Sequence, residues 1–226
     1  MKKLFLLITL FSTISITGLT AQNKNVYIGF RLLNDFNSLS DLSDQLEAND
    51  FPRLAENALN AEIYFRTRKA DLMDGNFTMG YRERSENESS ANNSRMVGYY
   101  IGFEGGKDLA SSHELTLRPN LGLNLEYNRL VLVENLGASD LNSVLSNDFE
   151  KTTLSAYQAP LYVSLDLGTS FKVSNEVAIE INLTGGYRFL YFNSDSWKLD
   201  DAYTIDLDFN SSTLFAGFGV GITFLE

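Results

Sequence analysis

The stretch VAIEINLTGGYRFLY, Val177 to Tyr191, alternates along its whole length. One face reads Val177, Ile179, Ile181, Leu183, Gly185, Tyr187, Phe189 and Tyr191. The other reads Ala178, Glu180, Asn182, Thr184, Gly186, Arg188 and Leu190. A period of two predicts a β-strand with one apolar and one polar face. Its length exceeds the usual globular strand of about five or six residues and suits the roughly 9–11 needed to cross a bilayer.

Working outward, Ala159 to Val173 repeats the pattern, and only Ser174-Asn175-Glu176 separates the two runs, which predicts a tight hairpin. Leu115 to Tyr127 alternates as well. Pro119 within it removes one ladder donor and predicts a local bulge or distortion. The last run is Leu214 to Phe224, and weaker versions occupy 25–34, 59–68, 76–84 and 96–105. Eight strands are expected. A further alternation, Tyr203, Ile205, Leu207 and Phe209, leaves ten as the alternative and would project strands beyond a membrane, where an exposed edge could pair with another chain.

The connections 35–58, 85–95, 129–156 and 193–210 read as long, and those at 69–75, 105–112 and 174–176 as short. Alternating long and short connections predict an all-β, up-and-down antiparallel transmembrane barrel with short periplasmic turns and long outer loops. An even strand number would place both termini on the periplasmic side. Tyr81, Tyr99, Tyr127 and Tyr191 fall near the outer strand ends, and Phe65, Phe77, Phe103, Phe171 and Phe224 near the inner ends, as two aromatic girdles would.

The chain begins with Lys2 and Lys3, an apolar run from Leu4 to Phe11, and Thr20-Ala21-Gln22. This layout predicts a signal peptide over 1–21 and export, leaving 22–226 as one barrel domain of the bacterial outer membrane. Cysteine is absent, which excludes thiolate chemistry and a cysteine-linked lipid anchor. Loss of Lys2 and Lys3 takes the formal net charge from -11 to -13, an acidity that argues against nucleic acid as a partner.

The faces opposite the apolar ones carry Arg31, Glu62, Arg66, Arg82, Glu104, Arg118, Glu126, Asp166, Glu180 and Arg188. If the apolar faces meet lipid, these ten line the lumen. There they would pair as a plug, since a lone buried charge is costly, or else line a narrow polar pore. Gly122, Gly168, Gly186, Gly217, Gly219 and Gly221 either leave room beside large neighbours or bend the strands.

Taken together, these features resemble the small OmpA/OmpX-like outer-membrane barrels, over 25–226. The terminal amphipathic strand Leu214 to Phe224 is similar to the one the barrel assembly machinery recognises in that group, although Leu225 and Glu226 follow the final aromatic residue. The resemblance is to the membrane barrel without a periplasmic OmpA-type domain, so it implies no anchoring to the cell wall.

No catalytic residue and no cofactor are expected. The single histidine, His113, falls in a short turn, without a nucleophile partner that the sequence identifies. The acidic loops, with Asp35, Asp41, Asp44, Glu47, Asp50 and Glu56 in one and Asp195, Asp200, Asp201, Asp206 and Asp208 in another, read as solvated surface or as seats for a divalent cation or surface ligand. Ser38 to Glu47 suits a short amphipathic helix with Leu39, Leu42 and Leu46 on one side, either capping the barrel mouth or presenting a partner-binding face. The expected function is a non-catalytic structural or surface-interaction protein of the cell envelope, serving integrity or adhesion, in contact with outer-membrane lipid. A porin-like narrow channel for small polar solutes or ions is the alternative, and a soluble lipocalin-like carrier the third.

Overall fold

Each alternating run forms a strand in the computed structural model, which describes residues 25–36, 39–68, 73–85, 92–110, 114–135, 149–192, 196–199, 203–206 and 212–225. The expected signal peptide, His113 and most of the acidic residues of 193–210 lie outside them. The strands are β1 (Asn25–Phe36), β2 (Asn57–Arg68), β3 (Asp74–Ser85), β4 (Asn93–Gly106), β5 (Leu115–Asn135), β6 (Phe149–Lys172), β7 (Val177–Phe192), β8 (Ser196–Leu199), β9 (Tyr203–Asp206) and β10 (Thr213–Phe224). One helix, α1 (Ser40–Glu47), lies between β1 and β2.

β1 to β7 and β10 pair antiparallel with their neighbours, and β1 pairs with β10 from Val26↔Phe224 to Phe36↔Leu214. That last pairing closes an eight-stranded antiparallel barrel and removes the open edges of the sheet. β8 and β9 form the additional hairpin, but it stands on β6 through Leu154↔Leu199 and Ser155↔Lys198, outside the closure. The barrel therefore has eight strands and not ten.

The hairpin between β6 and β7 is held by the amides of Val173 and Ser174, which donate to the Val177 carbonyl at 2.9 and 3.1 Å. The Ser174 hydroxyl accepts from the amides of Glu176 and Val177. Pro119 does not cause the expected distortion. It pairs in register with Leu165, one residue beyond the point where β4 ends opposite Asn120, so its missing donor interrupts no ladder with β4. The register shift occurs instead between Leu161 and Tyr162, just after Pro160.

Two of the expected loops are partly strand. The short β8 and β9 fall within 193–210. β5 runs on to Asn135 and β6 starts at Phe149, so much of 129–156 is paired strand as well. The run of Leu130, Val131, Leu132 and Val133 facing Thr152 and Thr153 explains this, because such residues favour strand on both faces. The strict alternation of connection lengths fails at one place, where β4 already begins at Asn93 and leaves 86–92 no longer than 107–114.

The barrel is apolar outside and polar within. Phe30, Ile63, Met79, Ile101, Leu121, Leu165, Ile181 and Val220 are all exposed on the outer face. Arg31, Arg66, Arg118, Asp166, Glu104 and Glu180 are among the most buried residues. A soluble lipocalin-like carrier needs the opposite arrangement, so that reading is set aside. Among the described residues no helix is long and apolar enough to cross a membrane; here the strands carry the apolar face.

Candidate functional site in the lumen and at its mouth

Because a strand's side chains alternate, the residues of one parity on each strand converge in the barrel interior. There the carboxylate of Asp166 on β6 is the central acceptor. It receives the Arg118 guanidinium at 3.0 Å and the Thr184 hydroxyl at 2.7 Å, with Arg31 at 3.5 Å and Arg66 at 3.8 Å. Glu104 receives Arg118 at 2.9 Å, the Asn76 amide at 3.1 Å and the Tyr162 hydroxyl at 3.2 Å. Glu62 pairs with Arg31 and accepts from the Tyr100 hydroxyl at 2.9 Å. Glu180 takes Arg66 at 3.1 Å.

A second group lies toward the long-loop end. Arg82 bonds Glu126 through both terminal nitrogens, at 3.0 and 3.1 Å, and through its Nε Asp35 at 3.0 Å and the Asn60 side-chain Oδ1 at 2.6 Å. Asp35 in turn holds Arg188 at 2.5 Å. Asp74, near the opposite end, stands 3.7 Å from Arg118. Each of the ten lumen residues singled out in the sequence thus lies in the interior. The structure adds Asp35 and Asp74, which sequence reasoning had left out, placing Asp35 in an acidic outer loop. Parity would have found both: Asp35 continues Arg31 and Leu33 on β1, and Asp74 precedes Asn76 and Thr78 on β3.

Aromatic rings fill the space between the ion pairs. Tyr64 lies across Gly29, Tyr100 across Gly80, Tyr162 across Gly122 and Phe215 across Gly186, each opposite its glycine on the neighbouring strand. A Cβ at Gly29 or Gly122 would run into the tyrosine ring, so these glycines make room for large neighbours. The rings also receive cations: Arg66 sits 4.8 Å from the Tyr27 ring centre, Arg31 5.0 Å from Tyr64, and Arg188 4.5 Å from Phe215. The lumen is thereby packed with paired charge and aromatic rings.

Above this polar layer the interior turns apolar. Met96 on β4, Leu130 on β5, and Leu154 and Ala156 on β6 form one cluster with Leu39, Leu42, Leu46 and Leu54 of the first long connection, and with Trp197 of β8. The helix α1 buries Leu42 and Leu46 in this cluster and leaves its acidic side outward. Leu39 precedes it with a left-handed backbone, φ 44°, and its side chain is buried in the same cluster. Strain at that residue, of about 1–2 kcal/mol, is offset by burying its side chain. The chain after α1 is tied down by polar contacts: the Ser94 hydroxyl donates to the Pro52 carbonyl at 2.7 Å, and Arg84 to the Ala55 carbonyl at 3.0 Å. Arg53 bonds Asp44 at 2.7 Å and Glu47 at 2.8 Å, and the Glu47 hydrogen bond holds Arg53 above the usual arginine range. These contacts take up two of the loop carboxylates, and among the described residues no group of three or more acidic or histidine side chains is placed to hold a metal ion.

The girdle residues stand on the outer face. Tyr81, Tyr99 and Tyr127 stand opposite one another in register across β3, β4 and β5, and Tyr157 on β6, not singled out in the sequence, continues the row. Their rings meet in pairs, Tyr81 with Tyr99 at 5.4 Å and Tyr127 with Tyr157 at 4.9 Å. Phe65, Phe77 and Phe103 make a second row. Phe171 and Phe224 are exposed near the short-turn end, and the side chain of Tyr191 is outside the described set. Strands of a barrel tilt, so such rows climb around it and are not level rings.

No protein-family model and no curated protein matches the chain. Solved structures do. A major outer membrane protein from Thermus thermophilus superposes with a TM-score of 0.50 at 8% identity, over 89% of this chain and 99% of that one. Ail, the attachment invasion locus protein of Yersinia pestis, gives 0.41 at 12% identity, over 90% and 99%. Neisserial surface protein A gives 0.40 at 14% identity, over 90% and 97%. At 8% identity the likeness to the Thermus protein bears on the fold alone, that of an outer-membrane β-barrel, and nothing rests on the two lower superpositions.

Proposed function

We propose that this chain is a non-catalytic outer-membrane barrel that closes its own lumen and uses its long-loop end as a surface for interaction. The observation that carries this reading is the double seal, an apolar plug around α1 and Trp197 above a lumen filled by paired charges and rings. In this reading the long-loop end faces outward, and both ends of the described chain lie on the periplasmic side. Support for the outward platform comes from β5 and β6, whose 21 and 24 residues far exceed the roughly 9–11 that a bilayer requires. The surplus, braced by α1 and the β8–β9 hairpin, makes a supported projection.

A narrow cation-preferring channel is the second reading, favoured by one observation. Among the described inward-facing residues, Asp35, Glu62, Asp74, Glu104, Glu126, Asp166 and Glu180 outnumber Arg31, Arg66, Arg82, Arg84, Arg118 and Arg188 by seven to six. The test is single-channel recording on refolded protein in a planar bilayer, with folding checked by the gel shift between unheated and boiled samples. A folded, silent barrel is the expected outcome. Discrete openings whose size changes in Glu126→Gln or Arg118→Gln would replace the sealed reading with the channel.

A further inference from the structure

Most charged side chains that the structure describes on the barrel wall point inward and are paired. On the outer face of β4 and β5, just beyond the tyrosine row, two arginines do not follow that rule. Arg129 stands two residues outward of Tyr127, opposite Val97 on β4 and Ser155 on β6. Arg95 lies one residue pair farther out, opposite Val131. Because Val131 follows Arg129 by two on β5, the two arginines are diagonal neighbours on one face, a spacing within reach of long side chains.

Their circumstances differ. Arg95 bonds Glu83 at 2.8 Å and the Tyr81 hydroxyl at 3.3 Å. Arg129 has no ion pair among the described residues, and its Nε is buried without a hydrogen-bond partner. A half-buried guanidinium on the outer face that meets no carboxylate among the described residues is prepared for an anion that arrives from outside the protein. The position narrows the choice of anion. An aromatic row marks the boundary between hydrocarbon and headgroups, and the arginines begin where that row ends, on the lipid-facing side of the wall. Charge selects as well, since the chain as a whole carries a formal net charge of -11 and this patch has two cations against the single carboxylate of Glu83.

We infer that Arg129, assisted by Arg95, seats the phosphate of an anionic lipid headgroup in the leaflet surrounding the long-loop end. This rests on the reading of the barrel as membrane-inserted. Basic groups at that depth bind phosphate headgroups by charge-assisted hydrogen bonds. Lys151, on the same face of β6 but farther out, opposite Val133, lies where it would extend the contact to a larger headgroup.

The experiment uses detergent-refolded protein titrated with phosphatidic acid and, separately, phosphatidylcholine of the same chain length, with bound lipid counted by native mass spectrometry. Wild type is expected to retain phosphatidic acid about tenfold better than phosphatidylcholine, the worth of one charge-assisted hydrogen bond. Arg129→Gln removes that preference, Arg129→Lys keeps part of it, and Glu83→Gln, which frees Arg95, raises it. Inorganic phosphate at equal concentration leaves the lipid in place, which separates a headgroup seat from a free-phosphate site. Equal retention of both lipids by folded wild type, or unchanged retention in Arg129→Gln, overturns the inference alone. A chain that folds and stays soluble without detergent overturns the membrane reading and the inference with it.

Discussion

Arg118 shows what a single lumen side chain carries. One terminal nitrogen bonds both Glu104 and Asp166, at 2.9 and 3.0 Å, and the other faces Asp74 at 3.7 Å. All four residues are nearly inaccessible to solvent. The ion pairs are not by themselves a source of stability, because taking both partners out of water costs about what their attraction returns. Removing one partner is another matter, since it strands the rest. Arg118→Met is therefore expected to cost about 3–5 kcal/mol, read as a lower urea midpoint for the refolded barrel. Adding Glu104→Gln to that variant removes one stranded charge and should recover part of the loss. A double-mutant cycle with no coupling between the two positions would contradict the pairing seen here. Which residues face inward was legible from parity alone. Which arginine meets which acid was not, because Arg31 and Asp166 belong to strands that are not neighbours, and their meeting across the lumen depends on the barrel's closure and stagger.

At the scale of the element, α1 is the piece whose role the sequence left open between mouth cap and partner face. Its leucines meet the apolar outer ends of β4, β5 and β6 and a tryptophan from β8. The helix is short, has no side-chain cap at its start, and places Asp41 in its first turn. Eight residues of helix are marginal in water, so it is the seating of Leu42 and Leu46 that holds the element. Of the strand residues that receive it, Leu130, Leu154 and Ala156 read, in sequence, as part of a long loop, and that is why mouth cap and partner face both stayed open. Trp197 is the only tryptophan and is fully buried in this cluster, which makes it a reporter for the plug. In Leu42→Asp/Leu46→Asp its emission should shift to the red and become open to acrylamide quenching, while the gel shift of the barrel persists. Planar-bilayer recordings of the same variant should remain silent, because the ion-paired layer lies below the plug. A blue, unquenched Trp197 in this variant would show that α1 does not seal the mouth.

The whole molecule inverts the usual distribution of polarity, and the inversion has a measurable depth profile. Eight strands closed on themselves satisfy every neighbour's ladder, so no sheet edge meets hydrocarbon, the condition for a β-structure in a bilayer. The outer face can then be apolar without a partner protein, and its cost of substitution depends only on height. Ile181 lies on β7, four residues from the short-turn end of the strand, and is half exposed on the outer face. Val97 lies on β4 near the tyrosine row, two residues outward of Tyr99. At the middle of the apolar belt an arginine costs about 2–4 kcal/mol, falling to about 0–1 near the interface. Ile181→Arg should therefore lower the stability of the lipid-refolded barrel by the larger amount and Val97→Arg by the smaller, measured by urea unfolding in vesicles of one lipid. The same pair measured in detergent micelles should differ less, because a micelle deforms around a charge more readily than a bilayer does. Equal losses at both positions would mean that the belt is not spanned by lipid as its sequence pattern requires. A larger loss at Val97 would place the hydrocarbon higher on the barrel and move the tyrosine row, and with it Arg129, out of the headgroup layer.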